Sequence, residues 1–95
     1  MTRLTARIRI VRIHGGRYKV EKVKVRDDHG DRVDVFNVAV KEELEFPTKN
    51  EARENGAQLA HAFITSKYSE GVRYKIECKT KVEIRPEVAA PTLNQ

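Results

Sequence analysis

The stretch LTARIRIVRIHGGRYKVEKVKVR, residues 4–26, decides how the chain folds. Apolar and polar residues alternate along it on both sides of Gly15-Gly16. Alternation at period two marks a strand with one face buried. A Gly-Gly pair between two such runs marks a hairpin, because the central turn positions need positive φ. A two-residue turn at His14-Gly15-Gly16-Arg17 pairs Ile13 with Tyr18, Val11 with Val20, Ile8 with Val23 and Ala6 with Val25. The alternation changes phase inside each strand. Leu4, Ala6, Ile8 and Ile10 share one face of the first, and Val11 and Ile13 the other. Tyr18 and Val20 likewise oppose Val23 and Val25 in the second.

Working outward, Asp27-Asp28-His29-Gly30-Asp31 reads as the next turn, with Gly30 at the left-handed position of a three-residue loop. A third strand, Arg32 to Val40, changes phase between Val35 and Phe36. This loop sets Val25 opposite Val33, Val23 opposite Val35, Val20 opposite Val38 and Tyr18 opposite Val40. The three phase changes then fall at one level. Either both sheet faces are partly covered, or aligned bulges rotate the strands about a single core. In the first case one face carries Ala6, Ile8, Ile10, Val23, Val25, Val33 and Val35. The other carries an apolar half made of Val11, Ile13, Tyr18, Val20, Phe36, Val38 and Val40. One helix cannot cover both, so those seven residues are the candidate interface for a partner or a second copy.

Past an acidic connection from Lys41 to Phe46, Pro47-Thr48-Lys49-Asn50-Glu51 is a helix start. Thr48 caps, and Glu51 stands where a capping box needs it. The helix runs to about Tyr68, burying Ala52, Gly56, Leu59, Ala60, Phe63 and Ile64, with Gly71 as its C′ residue. Gly56 costs about 1 kcal/mol relative to Ala inside a helix. Its presence predicts a close approach of helix to sheet. Val72 to Arg85 alternates without a break and forms a last, long strand, stopped by Pro86. Residues 1–86 are thus one α+β domain in the order βββαβ, a four-stranded, mainly antiparallel sheet with one helix packed on it. The composition of residues 87–95 predicts a disordered tail.

The net charge of +5 is unevenly placed. Residues 1–26 hold nine Lys/Arg against one acid, and the remainder of the chain is net acidic. A basic surface favours acidic partners. In the register above, Arg7, Arg9, Lys22, Lys24, Arg26 and Arg32 gather on one sheet face, beside its apolar half. Such a face suits DNA or RNA: the arginines can reach guanine edges and the lysines phosphates. The alternative is the ordinary solvated face of a half-exposed sheet. No aromatic is interleaved with these cations.

Other chemistry finds little footing. Asp27, Asp28, Asp31 and Asp34 lack the spacing of a calcium loop and read as turn residues. His14, His29 and His61 have no metal-ligand spacing, and Cys78 points inward from the last strand. No nucleophile–base arrangement stands out, so the reading is non-enzymatic, with no metal, cofactor or small-molecule substrate implied. A lone cysteine, no secretory signal pattern and no membrane-length apolar run point to a cytoplasmic protein.

Phe46, Thr48, Lys49, Glu51 and Ala52, following three strands, resemble the helix start of the arm-type DNA-binding domains of tyrosine-recombinase phage integrases. That resemblance implies a sheet inserted into a DNA groove. The chain differs from that family in its long fourth strand and in its first strand, which is not aromatic-rich. With Ala60 and Ile64 added, the pattern F-x-T-x-x-E-A is also similar to that of small bacterial proteins of uncharacterised function with the same strand–helix order. The expectation is therefore a small binding module for nucleic acid. The alternative is a protein-interaction or homodimeric module.

Overall fold

A computed structural model describes residues 3–41 and 43–82. Three strands, β1 (Arg3–Arg12), β2 (Tyr18–Asp28) and β3 (Val33–Val38), form an antiparallel meander. Helix α1 (Lys49–Lys67) then crosses the sheet, and β4 (Tyr74–Val82) returns parallel to β1 at the far edge. Four strands, mainly antiparallel, with one helix on one face are as the alternation and the capping box predict; the order β3-β2-β1-β4, with β4 beside β1, is set by the fold. The expected tail and the last part of the fourth strand lie outside the described residues.

The register departs from the sequence reading in two places. Gly15 and Gly16 take the expected positive φ, 86° and 76°. The loop is one residue longer than expected, however: Ile13 N–H donates to Arg17 C=O at 2.8 Å, and Arg12, not Ile13, faces Tyr18. A bulge repairs the parity. Arg9 faces Lys22 but Ile10 faces Val20, which leaves Glu21 as the extra residue. The bulge returns Val20 to the face of Val23 and Val25, and the phase change in β2 disappears.

The second departure lies between β2 and β3. β2 continues through Asp27 to Asp28, and the turn is His29–Arg32, closed by His29 N–H to Arg32 C=O at 2.8 Å. Val25 therefore pairs with Phe36 and Val23 with Val38, a shift of three residues from the expected register. An odd shift exchanges the faces. Val33 and Val35 are exposed, while Phe36 and Val38 lie under the helix. Of the two explanations for the phase changes, a single main core is the one present, but with one bulge, at Glu21, in place of aligned bulges, and with Val11 buried on the opposite face.

That core contains Leu4, Ala6, Ile8 and Ile10 from β1, Val20, Val23 and Val25 from β2, and Ala52, Ala60 and Ile64 from α1. The helix lies over β2 and β1. Its stripe of small residues at four-residue spacing brings the backbone down onto the sheet: a Cβ on Gly56 would sit 2.6 Å from Ile8 Cγ2. Thr48 Oγ1 accepts from Glu51 N–H at 3.1 Å, as the capping box requires. The helix ends at Tyr68, whose N–H reaches Ile64 C=O, so Gly71 belongs to the following turn and is not the C′ residue.

The seven residues read as an apolar interface are consumed within the chain. Val20 is in the core, and Tyr18, Val38 and Val40 pack against it. Phe36 stacks on Phe63 of α1 with ring centroids 5.7 Å apart. Val11 is buried outside that cluster, facing Lys19 and Lys81 in register, and Ile13 is half-buried in the loop. Their apolar surface is therefore not a free half-face.

Candidate nucleic-acid interface

Because α1 covers one face only, every second residue of the sheet points away from it. The strand registers fix what this open face displays. Arg7 faces Lys24 on β2, and Arg9 faces Lys22. On the other side Arg7 faces Glu77 of β4, Arg9 faces Lys79 and Thr5 faces Lys75. Arg26 stands opposite Thr5. The result is a field of cations running across three adjacent strands. Arg7, Arg9, Lys22, Lys24, Glu77 and Lys79 together line a shallow depression in its centre.

Five of the six cations singled out in the sequence thus share one face. Arg32 does not. It sits in the β2–β3 turn with its side chain 75% exposed, paired with Asp34 at 3.4 Å and beside Phe36, Lys67 and Tyr68. The longer strand β2 and the later turn take it out of the field. Conversely, Lys75, Lys79 and Lys81 belong to the field, although the sequence pattern does not assign them to it. Their alternation is plain in the sequence, but their place beside β1 depends on a parallel pairing across a helix, which no local pattern specifies.

The field is partly neutralised. Glu77 pairs with Arg7 at 3.2 Å and with Lys75 at 3.8 Å. Glu21, the bulged residue, pairs with Arg9 at 3.6 Å and Lys81 at 4.0 Å. Asp28 lies 4.0 Å from Arg26. Glu21 Oε1 is itself buried, but the other pairs lie at the solvent surface and are worth at most about 1 kcal/mol each, so a polyanion can displace their carboxylates. Among the described residues, Lys22, Lys24 and Lys79 take part in no such pair.

The opposite side holds a second polar group. Asp27 is 3% exposed on the core face. Its Oδ2 accepts from Tyr68 Oη–H at 2.5 Å and lies 3.3 Å from His29 Nε2, which is also 3.3 Å from Asp34 Oδ2. Burial, and next the hydrogen bond to Asp27, push the Tyr68 hydroxyl up to about 12. Asp28 Oδ1 accepts from Gly30 N–H at 2.9 Å, the local turn bond expected of an Asp there. Among the described residues no group of three or more His, Cys, Asp or Glu side chains is arranged to hold a metal ion. Cys78 is half-buried on the core side of β4. Likewise, no described helix is long and apolar enough to cross a membrane. Comparison with known protein families, with curated proteins and with solved structures finds no match for this chain.

Proposed function

We propose that this chain is a small, non-enzymatic, cytoplasmic binding module that presents the open face of its sheet to nucleic acid. The observation that carries this reading is the gathering of cations from β1, β2 and β4 on the one face the helix leaves free. Solvation alone asks for polar residues there, not for so large an excess of one sign of charge over the few carboxylates among them. Surfaces usually intersperse both signs unless a field serves a partner. The resemblance of residues 46–52 to integrase arm-type domains points the same way.

Fluorescence anisotropy with labelled DNA and RNA at low salt tests the reading. The wild-type chain binds, and Arg9→Ala with Lys24→Ala weakens binding sharply. Lys49→Ala with Arg53→Ala, on the helix side, leaves it unchanged. Absence of binding to any nucleic acid at low salt, or equal losses in both variants, refutes the proposal.

A second reading, self-association, draws support from β4. Its inner side is incompletely covered by α1, leaving Ile76 39% and Val82 59% exposed. Its outer edge pairs with no strand among the described residues. Unpaired edges of this kind are templates for pairing with another chain. Sedimentation velocity at several concentrations decides it, a strict monomer removing the homodimer.

A further inference from the structure

Resting on that reading, we infer that the nucleic acid is a duplex, held by its phosphate backbones and not by its bases. The first observation concerns aromatic residues. The chain has three Tyr, three Phe and no Trp, and every one is accounted for away from the open face. Tyr18, Phe46, Phe63, Tyr68 and Tyr74 pack on the core, and Phe36 stacks on Phe63 under the helix. Sheets that bind single strands do so largely by stacking unpaired bases on aromatic rings. This face has no ring to offer. It offers ammonium and guanidinium groups, which match phosphates.

The second observation is width. Strands lie about 4.8 Å apart, so four of them present a surface of roughly 15–20 Å, whereas the major groove of B-form DNA is about 12 Å wide and takes a helix or a two-stranded ribbon. The four-stranded sheet as a whole is wider than that groove, while its cation-bearing outer strands β2 and β4 are about 10 Å apart, close to the groove's own width. It can lie across the groove, with the β2 lysines toward one phosphate ridge and the β4 lysines toward the other. Lys22 and Lys79, in register through Arg9, occupy those two flanks. Arg7 and Arg9 lie on β1 between them. Recognition of this kind follows charge spacing and is insensitive to sequence.

The test is a set of anisotropy titrations with the full chain. The probes are two 20-base-pair DNA duplexes of unrelated sequence, the RNA duplex of one of them, and the separated strands, each at several salt concentrations. The two DNA duplexes bind equally, and the separated strands bind more weakly. Lys22→Ala with Lys79→Ala flattens the duplex salt dependence by about 0.9 units in log K per log salt for each phosphate that is no longer neutralised. The RNA arm identifies which duplex geometry fits the flanks better. Tighter binding of single strands, a strong preference between the two DNA sequences, or an unchanged salt slope in the double variant overturns the inference while leaving nucleic-acid binding standing. Failure to bind any probe at low salt overturns both.

Discussion

At the scale of single residues, two contacts define the packing of helix on sheet. The first is Gly56 against Ile8. A methyl group at Gly56 would meet Ile8 Cγ2 at 2.6 Å, and Cγ2 is attached directly to a β-branched carbon and cannot swing aside. Gly56→Ala gains about 1 kcal/mol of helix propensity but forces the helix off the sheet. Overpacking costs about 1–3 kcal/mol, so urea denaturation is expected to show net destabilisation. Ile8→Ala removes the obstructing methyl, and the two substitutions together are expected to cost less than their sum. The second contact joins Tyr68 to buried Asp27. Removing the hydroxyl leaves a buried carboxylate oxygen short of a donor, and Tyr68→Phe is expected to destabilise the fold by about 1–3 kcal/mol near neutral pH. The pH dependence has a definite sign. The Tyr68 hydroxyl is raised from its ordinary 10 to about 12, so the folded state favours its protonated form. The stability it contributes is complete below pH 10 and is lost as pH rises from 10 toward 12. Thermal melts across that window should show the wild-type advantage over Tyr68→Phe shrinking and then vanishing.

At the scale of elements, the helix and the strand count are legible in the sequence because their signals are local. Thr48 and Glu51 stand three residues apart, Ala52, Gly56 and Ala60 repeat at four, and Gly15-Gly16 announces a hairpin from two adjacent residues. The register of β3 is not legible, and the reason is Asp27. An aspartate next to Asp28, His29 and Gly30 has the composition of a turn, yet it is buried in β2, where a tyrosine 41 residues away donates to one of its two carboxylate oxygens. Extending β2 by two residues moves the turn, and an odd shift carries Phe36 and Val38 under the helix while expelling Val33 and Val35. The Glu21 bulge is one of two outcomes the alternation allows, and local pattern does not choose between them, since only the finished core shows which face is covered. The candidate site inherits both effects: its β1 and β2 cations follow from alternation, its β4 lysines from topology. The register itself makes a testable contrast. Val35→Thr on the open face is expected to change stability by no more than about 0.5 kcal/mol. Phe36→Ala, one residue on, removes the ring that stacks on Phe63 and is expected to cost about 2 kcal/mol in the same denaturation assay. Similar costs at the two positions would mean that β3 pairs in the other register.

At the scale of the whole molecule, the two faces and two edges of the sheet divide the possible partners between them. The helix takes one face. The other carries so many cations that two copies cannot meet through it without placing like charges together, which disfavours association. Any homodimer must then use an edge, and both edges have apolar side chains exposed beside them, Val33 and Val35 on β3 and Ile76 and Val82 on β4. Nucleic-acid binding and self-association therefore use different surfaces and respond oppositely to salt. Phosphate binding releases counterions, and affinity falls steeply between about 50 and 200 mM salt. Edge pairing buries apolar surface and brings two net-positive chains together, so added salt screens their repulsion and leaves association unchanged or stronger. Sedimentation velocity of the chain alone and anisotropy with duplex DNA, run over the same salt series, should diverge. Val82→Lys is expected to shift only the first measurement toward monomer, and Lys22→Ala with Lys79→Ala to weaken only the second. If one substitution moved both curves together, the two activities would share a surface, and the separation of face from edge would be wrong.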